Sequence, residues 1–124
     1  MLTTATQQRL AERLRLLPVQ ARRLLCVIVR QVYHGTLRSK APGRATMPEI
    51  HEACGLDVDE LQGLLASLQD AQFVSLIGSY PFEELQLEDT LDCDANIWQT
   101  VLKCCDSTGT PLETVVVDLQ IEHF

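Results

Sequence analysis

The sequence predicts an α+β fold, helical over its first half and closed by a short hairpin. Three observations carry that prediction. Apolar residues recur at helical spacing before residue 34 and again over 61–68, two helix-capping signals flank Gly55, and two strand-like runs meet across Gly78-Ser79-Tyr80-Pro81.

Residues 4–17 predict the first helix. Leu10, Leu14 and Leu17 share one face, Arg9, Arg13 and Arg15 fall elsewhere, and Pro18 ends the segment. The leucine face is narrow and suits docking on its own domain or on a second copy. Residues 19–33 predict a second helix. Ala21, Leu24, Leu25, Ile28, Val29 and Val32 make a wide buried stripe, and Arg22, Arg23, Arg30 and Gln31 take the wet side. Gly35 is the expected stop, and 36–45 reads as a basic loop.

Thr46-Met47-Pro48-Glu49 is a capping box, with Pro in the first turn and Glu three residues after the Thr. The short helix it opens points Ile50 and Ala53 inward and stops at Gly55. Asp57-Val58-Asp59-Glu60 caps the next helix, with acids at its positive end, and Leu61, Leu64, Leu65 and Leu68 form its stripe. Short helix, turn and longer helix make a helix-turn-helix arrangement.

Phe73–Ile77 and Phe82–Leu87 read as the two strands of a hairpin, with Leu85 and Leu87 on one face. Asp94 caps a further helix over 95–105, with Ile97, Trp98, Val101, Leu102 and Cys105 inward. The run 107–111 breaks the chain. Over 115–121, Val115, Val117, Leu119 and Ile121 alternate against Val116, Asp118 and Gln120, which predicts a C-terminal strand. The expected whole is a winged helix-turn-helix with an extra N-terminal helix and a C-terminal helix plus strand. Its parts are a helical extension over 1–18, the winged-helix domain over 19–105, and a linker and strand over 106–124.

Within that frame the chain resembles the C-terminal winged-helix domain of replication initiators of the origin-recognition type. The residues that carry the likeness are Leu17-Pro18-Val19-Gln20 leading into Leu24–Arg30, then Ile50-His51-Glu52-Ala53-Cys54, then Leu64-Leu65 through Phe73–Leu76. Glu84–Glu88 followed by Asp94–Trp98 complete the set. The similarity covers about residues 17–105 and consists of hydrophobic patterns. It implies a role in contacting origin DNA or building a replication assembly. The chain has no Gly-x-x-x-x-Gly-Lys phosphate loop, so no ATPase activity follows from the likeness.

Charge divides the molecule. Residues 1–44 hold nine of the ten Lys and Arg and one acid, a balance of +8; residues 45–124 hold Lys103 and sixteen acids, −15. A phosphate backbone is repelled by acidic surface, so nucleic-acid contact is expected from Arg22, Arg23, Arg30, Arg38, Lys40 and Arg44. These cations also have a second fate, ion pairs with the domain's own acids. The second helix of the pair, where base reading is expected, carries no Lys or Arg. Its Asp59, Gln62 and Gln69, with Glu83 and Glu84 on the hairpin, are the expected protein interface.

The function expected is therefore a non-enzymatic module of a DNA-associated assembly, touching phosphates through the basic helix and loop and proteins through the acidic face. The alternatives are a pure protein-interaction winged helix and a dimeric transcription regulator. No catalytic set, metal site or cofactor is expected. His51 and Cys54 stand three apart without a second ligand pair, and the carboxylates do not pair across a cleft. Five cysteines without framework spacing suggest reduced thiols of an intracellular protein, nuclear or cytoplasmic. No apolar run reaches the ~20 residues that span a bilayer.

Overall fold

The computed structural model describes residues 3–34, 44–78, 82–88 and 97–120. In chain order the elements are α1 (Thr4–Arg15), α2 (Val19–His34), β1 (Arg44–Thr46), α3 (Met47–Cys54), α4 (Val58–Asp70), β2 (Val74–Ile77), β3 (Glu84–Leu87), α5 (Ile97–Thr108) and α6 (Leu112–Val116). The fold is α+β: helices packed on a small antiparallel sheet.

Local chemistry sets the helix boundaries. The Thr3 hydroxyl accepts from the Thr6 amide to start α1. At α3 the capping box is complete, with the Thr46 side chain on the Glu49 amide and the Glu49 carboxylate reaching back to Thr46. Gly55 ends α3 at φ 68°, a left-handed conformation that a side chain makes costly. Asp57 Oδ1 then accepts from the Glu60 amide at 2.8 Å and opens α4. The pair α3 and α4 is thus fixed by two caps and one glycine.

The sheet runs β1-β3-β2. β2 pairs with β3 antiparallel with Val74 opposite Leu87 and Ile77 opposite Glu84, the expected hairpin. β1 pairs with the other edge of β3, Ala45 opposite Leu85. This third strand was not expected, since residues 44 and 45 were assigned to the basic loop. Three residues are too few to show a strand period, and only tertiary pairing reveals them.

Two other expectations fail. The C-terminal strand is absent among the described residues: residues 112–116 are helical, and Leu112, Val115 and Val116 are buried at i, i+3 and i+4. Val116, placed on the outer face by strand alternation, is fully buried. Pro111 at φ −64° enters the helix, and the amides of Val117 and Asp118 close it on the Glu113 carbonyl. Ala53, expected inward, is exposed, and Met47 and Ile50 supply the buried face of α3. The expected stop at Gly35, the turn residues Ser79–Pro81 and the Asp94 cap lie outside the described residues.

The buried side chains form one cluster that includes Leu10 and Leu14 of α1, Leu24, Leu25, Ile28 and Val29 of α2, Ile50, Leu65, Leu68, Leu85 and Leu87, and Leu112 and Val115 of α6. Trp98 of α5 is fully buried, its ring 6.2 Å from that of Phe73 at 51°. Deleting such a ring costs about 3–5 kcal/mol, so α5 is anchored by one residue more than any other. Among the described residues no helix is long and apolar enough to cross a membrane.

Candidate functional site

The basic candidates separate once their partners are placed. Arg22, on α2, is half-buried; its guanidinium donates to the Val117 carbonyl at 2.6 Å, and its Nε is buried without a hydrogen-bond partner among the described residues. Arg30, two turns along the same helix, forms an ion pair and hydrogen bond with Glu113 of α6. That guanidinium holds the Glu113 carboxyl below its ordinary 4.5, chiefly through the hydrogen bond. Arg44 sits on β1, where Nε donates to Gln86 Oε1 at 3.0 Å and the guanidinium lies 3.7 Å from the Glu84 carboxylate.

Three of the six proposed phosphate contacts are therefore committed to groups of their own fold. Arg23 is exposed and has no hydrogen bond or ion pair among the described residues. Arg38 and Lys40 lie outside the described residues. Engagement of Arg22 and Arg30 by the C-terminal segment is what the sequence did not show. With 115–121 read as a strand, nothing placed Glu113 or Val117 beside α2.

The acidic candidates fall into two grooves. One, of about 670 Å³, runs between α2 and the α3–α4 turn, with Arg23 and Gln20 on one lip, Asp59 and Glu60 on the other, and Val27, Leu56 and Leu64 in its floor. The other, of about 1050 Å³, lies between the starts of α3 and α4 and the β2–β3 hairpin. It gathers Gln62, Glu83 and Glu84 around Met47, Val58 and Phe82. Asp59 and Gln62, expected on one face, open onto different grooves. Gln69 is exposed near the end of α4 and lines neither.

Val58 is the residue the sequence reading missed. It was read only as part of a cap, yet it is an apolar side chain 54% exposed in a run of acids. The signal was present: Val58, Leu61, Leu65 and Leu68 continue the α4 stripe one turn past the core. Backbone bonds hold this groove open. The Met47 amide donates to the Glu83 carbonyl at 2.9 Å, and the Glu83 amide to the Ile77 carbonyl at 3.2 Å. The start of α3 is thereby tied to the hairpin rather than merely near it.

Two of the thiols are buried away from this surface. Cys26 is buried in α2, and burial, reinforced by Glu113, pushes its pKa up to about 12. Burial also raises that of Cys105, with its neighbour Cys104 the next cause. Among the described residues no three His, Cys, Asp or Glu side chains converge as a metal-ligand set. Comparison with protein-family models, curated proteins and solved structures returned no match.

Proposed function

We propose that this chain is a non-enzymatic interaction module of winged-helix type, binding protein rather than DNA through the acidic side formed by α4 and the hairpin. The observation that carries the reading is the fate of the arginines. Arg22, Arg30 and Arg44 are held by Val117, Glu113 and by Gln86 with Glu84. A guanidinium already hydrogen-bonded within the fold, and for Arg30 and Arg44 paired with a carboxylate, has fewer donors and less net charge left for a phosphate. Meanwhile α4, the helix a winged helix would place in the major groove, presents Asp57, Asp59, Glu60 and Asp70 and no Lys or Arg. Phosphate contacts dominate affinity for nucleic acid, and this surface opposes them.

A second reading keeps DNA as a weak contact of a larger assembly, as the likeness to replication initiators implies. It is favoured by the exposure of Arg23, which precedes in sequence the segment bearing Arg38 and Lys40. Fluorescence anisotropy on a labelled ~30-bp duplex separates the two. The protein-interaction reading expects no saturable binding at ~50 mM salt. Saturable binding whose log affinity falls with log salt at a slope of about −3 to −4, and which Arg23→Ala weakens, would replace it with the second.

A further inference from the structure

We infer that the groove between α3, α4 and the hairpin takes a basic, apolar-anchored segment of a partner protein. Lys or Arg side chains would meet Glu83 and Glu84, and an alternate apolar side chain would pack on Val58, Met47 and Phe82. This rests on the protein-interaction reading above and gives it a ligand chemistry.

Three properties of the groove point to that occupant. Its floor is apolar and partly open: Val58 is 54% exposed, Phe82 is half-buried, and the volume of about 1050 Å³ admits more than one side chain. Among the described residues its lining has two carboxylates, one histidine, His51, and no Lys or Arg. Glu83 is exposed with its carboxylate unpaired among the described residues, and Glu84 has only the half-exposed Arg44 at 3.7 Å. Asp57, which precedes Val58 and caps α4, is exposed and extends the same sign. A cationic ligand is attracted there and an anionic one repelled. Two of its walls, the start of α3 and the hairpin, are joined before any ligand arrives by the Met47–Glu83 backbone bond, and the Glu83–Ile77 bond closes the hairpin beside it.

An extended segment suits these walls because alternate side chains point to opposite sides, cations to the hairpin carboxylates and apolar groups to the floor. The other groove is less suited to a basic ligand, since Arg23 stands on its lip.

The test is isothermal titration of the full chain at ~50 mM salt with the peptide Lys-Leu-Lys-Leu-Lys-Leu-Lys. Val58→Ser, Glu83→Lys and, in the other groove, Gln20→Ala are titrated alongside, their folding checked by circular dichroism. One-site binding is expected, weakened about threefold to tenfold by Val58→Ser or Glu83→Lys and unchanged by Gln20→Ala. A Glu-for-Lys peptide should not bind. Absence of binding, or binding that neither groove variant weakens, overturns the inference. Self-association of the chain that Glu83→Lys abolishes overturns it too, by giving the groove to a second copy. The duplex titration keeps this failure distinct. If neither peptide nor duplex binds, only the ligand chemistry falls; if the duplex binds with the steep salt slope, the protein-interaction reading falls as well.

Discussion

Arg13 shows how a charged side chain becomes structural. The sequence places it off the leucine face of α1. Its guanidinium instead donates to the Ala71 carbonyl at 2.8 Å, at the C-terminal end of α4, and lies 5.3 Å from the centre of the Phe73 ring. A cation at a helix C-terminus and over an aromatic face is favoured on both counts. It also steadies the turn in which Gln72 adopts φ 64° without being glycine. No local pattern announces such a residue, because its partners are more than fifty positions away. Arg30 and Glu113 are the same case with a titratable partner. Each is 43% exposed, so the pair is screened by solvent and contributes only about 0.5–1 kcal/mol. Glu113 has a lowered pKa in the folded state, so its contribution is present above the ordinary 4.5 and lost as pH falls through the depressed value. Urea unfolding of Glu113→Gln should therefore show a deficit of about 0.5–1 kcal/mol at neutral pH that shrinks at acidic pH, below the ordinary 4.5. A deficit of equal size at both pH values would mean that the pair is not what Glu113 contributes.

Elements were legible where caps and periodicity agreed. α3 and α4 are bounded by Thr46 with Glu49, Gly55 and Asp57, and α2 and α4 carry the stripes of Leu24–Val29 and Leu61–Leu68. The C-terminal element was misread because its residues satisfy two periods at once. Leu112, Val115, Val116 and Leu119 fit a helix; Val115, Val117 and Leu119 fit a strand. β-branched residues tip a propensity argument toward the strand, and packing on α2 decides for the helix. The two alternatives differ at one position. Val116→Asp puts an unpaired charge into the core of the helical arrangement and should cost more than about 3 kcal/mol in chemical unfolding. On a strand with Val116 facing water the cost would be within about 0.5 kcal/mol. The misreading carried over into the site, because α6 and the residues after it are what engage Arg22 and Arg30.

At the scale of the molecule, the division of charge has an outcome that counting charges does not supply. The acidic half contributes Glu113 and Glu84 to arginines of the basic half, and the basic surface is reduced by that much. Among the described residues, Glu83 on the hairpin and Asp59 and Glu60 on α4 stay exposed, Glu83 in the groove with Val58 and the other two in the groove beside α2. The acidic face was legible in the sequence as residue types. Its division into two grooves was not, because the hairpin's closure on α3 depends on backbone bonds from Met47 and Glu83. The most direct test of this account maps both ligand classes on one sample. Amide spectra of the ¹⁵N-labelled full chain are recorded with the Lys-Leu peptide and, separately, with the ~30-bp duplex at ~50 mM salt. The account predicts that the peptide moves the signals of Met47, Val58, Gln62 and Glu83 and that the duplex moves no cluster of signals. Movement of Arg22, Arg23 and Arg30 on adding duplex, with the groove unmoved by peptide, would contradict it.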